Sequence, residues 1–95
     1  MYIAIFKAKL KSLDNDYKQT AEKMRELALN DYGCVQIDSV SDGMEEITLS
    51  YWHSEDDILA WKNNAEHIKA QSMGQEQWYE SYEVEIVKIN RRYHS

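Results

Sequence analysis

The apolar residues of this chain change their spacing along its length. They recur every second position at first, then every third or fourth, then every second through two runs split by Asp42-Gly43, then every third or fourth again, and finally every second. Spacing by two marks a strand and spacing by three or four marks a helix, so the pattern predicts the order β-α-β-β-α-β. That order is the split-βαβ or ferredoxin-like arrangement of an α+β fold, in which two helices cover one face of a four-stranded antiparallel sheet.

Each element has its own evidence. In residues 2–10, Tyr2, Ala4, Phe6, Ala8 and Leu10 alternate with Ile3, Ile5, Lys7 and Lys9. The first half of both faces is apolar, which places this strand in the middle of the sheet. Asp14 or Asn15 can cap a helix carrying Tyr17, Ala21, Met24, Leu27 and Ala28 on one side, and Gly33 allows the left-handed turn that ends it. Two strands follow, 35–40 and 45–53, joined by a tight turn at Asp42-Gly43. Ser54 and Asp57 form a capping pair at the start of a second helix, whose main apolar face holds Ile58, Trp61, Ala65, Ile68 and Ser72. Leu59, Asn63, His67 and Ala70 make a weaker stripe opposite, and Gly74 ends the helix. The last strand reads as 78–93, well beyond the usual ~5–6 residues, and an overshooting strand makes a natural arm for a partner subunit.

A sheet with helices on one face only leaves the other face bare. Apolar residues on both faces of the first strand, and Ile86 and Val87 pointing opposite ways in the last, predict that the bare face is covered by a second copy in a two-fold homodimer. A single domain spanning 1–95 would be lean as a monomer and gains materially from such a partner, because a chain this short buries only roughly 60–65% of the surface its unfolded form exposes. Zero prolines and three glycines leave no linker within it.

Charge and composition exclude several roles. A net charge of −6 argues against nucleic-acid binding, which needs clustered cations, and Lys88, Arg91 and Arg92 are too few to reverse it. No segment is apolar for long enough to span a membrane, no secretory leader precedes the first strand, and the lone Cys34 fits a reducing cytoplasm. The expectation is a cytoplasmic protein without a membrane or nucleic-acid partner. No pair of histidines, nor any histidine and carboxylate within a predicted helix, has the spacing of a compact metal site, since His53 sits at a strand end.

What chemistry there is gathers between Tyr51 and Tyr82, which contain all three tryptophans and three of the seven tyrosines. Trp61 lies on the main apolar face of the second helix, as core or as the wall of a cavity. Trp52 faces away from Leu49 and Tyr51, and parity does not say which face meets the helices. His67 is the titratable group best suited to acid–base work, although its stripe lies away from Trp61. In a regular strand Trp78 and Tyr82 share a face with Glu80 between them. A bulge at Glu80, a later strand start, or a carboxylate among aromatics would each account for that, and Tyr79 would point the other way as a phenolic donor to a ligand oxygen. The Glu45-Glu46 pair reads as a solvated strand end.

Tyr51-Trp52-His53-Ser54-Glu55, then Ile58, Trp61-Lys62, His67 with Gln71 four positions on, Gly74, Trp78-Tyr79, Tyr82 and a terminal Tyr93 together resemble the antibiotic biosynthesis monooxygenase family of dimeric α+β barrels. The resemblance covers the whole chain in topology, and its motifs sit in the second half. It implies a homodimer and a cavity for a small aromatic or oxidisable compound, of the kind used by cofactor-independent oxygenases acting on polycyclic phenols. On that analogy Trp52, Trp61, Gln71 and Trp78 contact the substrate, while His67, Tyr79 and Tyr82 are the catalytic candidates, with no bound cofactor or metal. A haem-degrading branch of the same family uses a histidine about ten residues after the helix tryptophan and an asparagine on the first strand. This chain has Gln71 at the former place and no asparagine at the latter. A non-catalytic ligand-binding or stress-related dimer, with the aromatics as core, is the reading from a different class.

Overall fold

A computed structural model of the chain describes residues 1–12, 14–71 and 78–95, with side chains at 1–12, 14–65 and 78–95. The elements are β1 (Tyr2–Leu10), α1 (Asn15–Asp31), β2 (Gln36–Asp42), β3 (Glu45–Trp52), α2 (Glu55–Gln71) and β4 (Tyr79–Lys88). The strands form one antiparallel sheet in the order β2-β3-β1-β4, so the strand with two apolar faces is central.

Local chemistry sets the ends of the helices. The Tyr17 N–H donates to Asp14 Oδ1 at 2.8 Å, making Asp14 the N-cap of α1. At the other end Gly33 takes φ +79°, and the Cys34 N–H donates to the Ala28 carbonyl at 3.0 Å. Ser54 Oγ accepts the Asp57 N–H at 3.2 Å and starts α2. Asp42 pairs with Glu45, so the hairpin loop is Gly43-Met44, with Gly43 at φ +64° in the first central position, where a type II′ turn places glycine. A Cβ at Gly43 would meet nothing within 4 Å. Gly43→Ala should therefore cost only the left-handed backbone penalty, about 1–2 kcal/mol, read as a lower urea midpoint.

The register sorts the sheet into two faces. Ala4, Phe6, Ala8 and Leu10 pair with Ser50, Thr48 and Glu46 on one side and with Ile86, Val84, Tyr82 and Tyr79 on the other, so all of these share a face. The helices lie there, because Ala4, Ala8, Leu10, Ser50 and Trp52 are buried. The core beneath the helices is in two pieces. One joins Ala4, Ala28, Cys34, Trp52 and Ile58. The other joins Ala8, Leu10, Tyr17 and Trp78. The opposite face carries Ile3, Ile5, Leu49 and Tyr51, together with Ile47 and Val87, which are about 40% exposed, and no helix among the described residues covers it.

The last strand differs from the sequence reading at both ends. It stops at Lys88 because Lys88 already pairs with Tyr2, and the Ile89 N–H reaches the Met1 carbonyl at 3.0 Å. Beyond that point β1 offers nothing to pair with. At its start the strand omits Trp78, whose carbonyl accepts the Lys11 N–H at 2.7 Å. Lys9 pairs with Ser81 but Leu10 with Tyr79, so Glu80 is the extra residue of a bulge, and its carboxylate approaches Lys9 Nζ at 3.8 Å. The bulge corrects one expectation: Tyr79 faces the same way as Tyr82, not away from it. Among the described residues no helix is long and apolar enough to cross a membrane.

Candidate functional site

Between the two pieces of core lies a cavity of about 670 Å³, roofed by α1 and α2 and floored by the sheet. Its existence follows from residue size. Ala4 on the floor and Ala21, Ala28 and Ala65 in the helices stand where larger side chains would close the gap, and close packing elsewhere does not relax to fill it.

Five aromatic side chains, Phe6, Tyr17, Trp61, Tyr79 and Tyr82, stand in its lining. Trp61 projects from α2, and its Nε1–H donates to the Met24 carbonyl of α1 at 3.2 Å, which ties the two helices together over the cavity. Phe6, Tyr79 and Tyr82 make the facing wall, with ring centroids 5.5–5.8 Å apart. Trp52 and Trp78 are fully buried and do not line the cavity. Trp52 backs Trp61 at 5.8 Å and donates from Nε1 to Ser50 Oγ at 2.8 Å. Trp78 backs Tyr17 at 5.4 Å. The sequence reading had made both of them substrate contacts. They stand instead one layer behind the wall, because Trp52 lies at the end of β3 against Ile58 and Trp78 falls outside β4.

The polar corner of the cavity belongs to residues the sequence reading passed over. Tyr17 Oη donates to Glu46 Oε2, Thr48 Oγ1 donates to Glu46 Oε1 at 3.3 Å, and Ser39 Oγ lies 2.9 Å from Thr48 Oγ1. Glu46 is not a solvated strand end: parity puts it on the helix-covered face with Thr48 and Ser50, where Tyr17 meets it from the first turn of α1. Alternation along β3 was the available signal. Trp61, Tyr79 and Tyr82 all line the cavity. His67 and Gln71 belong to the last turns of α2, and their side chains lie outside the described residues. Among the described residues no three His, Cys, Asp or Glu side chains are grouped to hold a metal.

Two phenols here are held in their neutral form. Burial, then the carboxylate of Glu46, pushes Tyr79 up to about 12. Burial, then the hydrogen bond to Glu46, pushes Tyr17 higher still. A group whose folded value lies above its unfolded one contributes stability that is complete below the unfolded value and is lost as pH rises. The expected result is a melting temperature that falls as pH climbs above about 10, with a shallower fall in Tyr17→Phe.

Comparison with known proteins places this geometry. The fold is that of the antibiotic biosynthesis monooxygenase-type proteins. A candidate antibiotic biosynthesis monooxygenase from Nitrosomonas europaea superposes with a TM-score of 0.73 at 16% identity, over 96% of this chain and 100% of that one. A variant of SnoaB, a cofactor-independent oxygenase from Streptomyces nogalater, gives 0.76 at 5% identity over 96% and 94%. A variant of MhuD with two manganese protoporphyrin IX bound per active site gives 0.60 at 9% identity over 98% and 99%. No protein-family model matches the chain. In sequence the chain is 40% identical over 93 residues to YqjZ, an uncharacterised protein of Bacillus subtilis (strain 168), covering 96% of this chain and 81% of that one. The chain belongs to the YqjZ family.

Proposed function

We propose that this protein is an oxygenase-like homodimer whose cavity binds a small aromatic or otherwise oxidisable compound and allows it to react with O₂ without a bound cofactor. The observation that carries the reading is a cavity of about 670 Å³ that combines aromatic walls with a hydrogen-bonded polar corner at Tyr17, Glu46 and Thr48. Largely apolar pockets with a few convergent polar groups are the usual form of small-molecule sites. The likeness in fold to SnoaB supports the choice of oxygen chemistry.

The reaction needs little from the protein. An acidic phenol or enol loses a proton, the electron-rich anion gives an electron to O₂, and the two radicals combine in a C–O bond. Loss of water from the resulting hydroperoxide leaves a ketone, so that R₂CH₂ and O₂ become R₂C=O and H₂O with no outside reductant. The cavity's task is to hold the ring, stabilise the anion and exclude water. In this proposal Trp61 and Tyr82 bracket the ring, and Tyr79 donates to an oxygen of the substrate. His67 and Gln71 remain assigned to the site by their place in the sequence.

The test is titration with hydroxylated polycyclic phenols, followed by tryptophan fluorescence and by oxygen uptake. Saturable quenching and uptake above the uncatalysed rate are expected, and their absence would overturn the reading. Haem is the alternative suggested by the likeness to MhuD. No histidine or cysteine lines the cavity among the described residues, and haemin titration followed at the Soret band separates the two readings.

The dimer is part of the proposal. Ile3, Ile5, Leu49 and Tyr51 form an apolar face that a second sheet would cover, with residues after Lys88 as the arm. Light scattering should report twice the chain mass, and Leu49→Lys should shift it toward the monomer.

A further inference from the structure

We propose that the corner formed by Tyr17, Glu46 and Tyr79 is an acid–base site for an acidic hydroxyaromatic, in which Glu46 takes the ligand's proton and the two phenols hold the resulting anion. The inference rests on the cavity being a binding chamber, and deepens that reading by naming the group that moves the proton.

The proton balance at the corner supports it. Glu46 is half-buried on the cavity floor and already accepts hydrogen bonds from the Tyr17 and Thr48 hydroxyls. A ligand hydroxyl placed among these groups meets an acceptor in Glu46 and the phenol of Tyr79, while Tyr17 still donates to the carboxylate. If the ligand's O–H bond breaks and the proton forms a new O–H bond on Glu46, the Tyr17 hydroxyl is released from the carboxylate and can turn to the ligand's oxygen. The corner carries one negative charge before and after; that charge has only moved from the carboxylate to the ligand. No counter-ion has to enter a partly closed cavity, and Tyr17 reaches the anion by turning its hydroxyl alone.

The neighbours leave Glu46 as the group for this task. Burial keeps Tyr17 and Tyr79 protonated well beyond neutral pH, so they serve as donors and not as bases. Lys18, Glu22 and Arg25 from α1, Tyr82 from β4 and Lys62 from α2 line the same cavity, with Arg25 donating to the Ile37 carbonyl. β1 contributes Ala8 opposite Glu46, and β2 contributes the uncharged Ser39. Glu22 is exposed on α1, whereas Glu46 lies on the floor.

The test uses para-nitrophenol, whose neutral and ionised forms differ in colour, with the purified wild type, Glu46→Gln and Tyr17→Phe. A wild-type corner that keeps one negative charge must take up a proton when it binds nitrophenolate. Its affinity should therefore weaken about tenfold for each pH unit above the ligand's own ionisation, with close to one proton taken up per ligand. Glu46→Gln imitates the protonated acid and has no carboxylate to repel the anion. Its affinity should be flat with pH, at least roughly tenfold above wild type at about pH 9, with the spectrum of the bound phenolate. Tyr17→Phe should weaken binding about tenfold and retain the wild-type slope. A flat wild-type profile, or the same slope in wild type and Glu46→Gln, would overturn the assignment of Glu46. The wild-type profile alone is enough to do so, even if a variant does not fold. Failure of wild type to bind nitrophenol would also overturn it, whereas the chamber reading is decided separately by the polycyclic titration.

Discussion

Replacing Trp52 by alanine is expected to remove about 3–5 kcal/mol of stability and leave much of the chain unfolded at room temperature. Trp52 is fully buried at the end of β3, where it joins Ala4, Ala28, Cys34 and Ile58 in one of the two pieces of core. It also supports the wall of the cavity, since its ring stands 5.8 Å from Trp61. Truncation would leave a void between sheet and helices beside a cavity that already exists, and would deprive Ser50 Oγ of its indole donor. A core divided in two has less with which to absorb the loss. Urea unfolding followed by circular dichroism should show the midpoint collapse, and a midpoint within the error of wild type would contradict this account of the core.

Changes in the wall should act differently, and the contrast separates a site from mere packing. Trp61 is half-buried and its edge is fixed by the Met24 carbonyl. Trp61→Phe keeps an aromatic surface but loses that hydrogen bond and part of the ring. A stability cost of about 1–2 kcal/mol is expected, together with a loss of roughly tenfold or more in affinity for a polycyclic phenol. Tyr82 is 59% exposed at the cavity rim, so Tyr82→Phe should move stability by less than about 0.5 kcal/mol while still weakening the ligand. Isothermal titration beside urea unfolding gives both quantities for each variant. Losses of stability without losses of affinity would mean that the aromatics are simply core.

The fold was legible because it rests on local signals that agree with one another. Alternation in residues 2–10 placed β1 at the centre, and Asp14, Gly33, Gly43 and Ser54 marked the ends and turns where the structure has them. The limits of β4 were not legible, since a strand ends where its neighbour does, and Tyr2 lies far from Lys88 in sequence. The bulge at Glu80 is a disagreement in register between two strands, which alternation in one of them shows only as an awkward carboxylate. The site was harder still. Aromatic content drew attention to Trp52 and Trp78, yet which ring fills and which ring lines depends on small residues elsewhere, such as Ala21 and Ala65. Glu46 was hidden for another reason. Beside Glu45, at the mouth of a hairpin, it has the local look of a solvated charge, and its partner Tyr17 is 29 residues away.

The central claim is that the cavity between the helices and the sheet is where a ligand meets oxygen. Ala21 lines that cavity from α1 one helical turn after Tyr17, so Ala21→Phe would fill the space beside the Glu46 corner while leaving Glu46 and both phenols in the chain. The decisive measurement is oxygen uptake with a hydroxylated polycyclic phenol, comparing wild type with this variant after circular dichroism has shown that the variant keeps its fold. The account predicts saturable uptake by wild type, one O₂ per molecule of substrate, and a fall to the uncatalysed rate in Ala21→Phe. Uptake by the filled variant equal to that of wild type would contradict it.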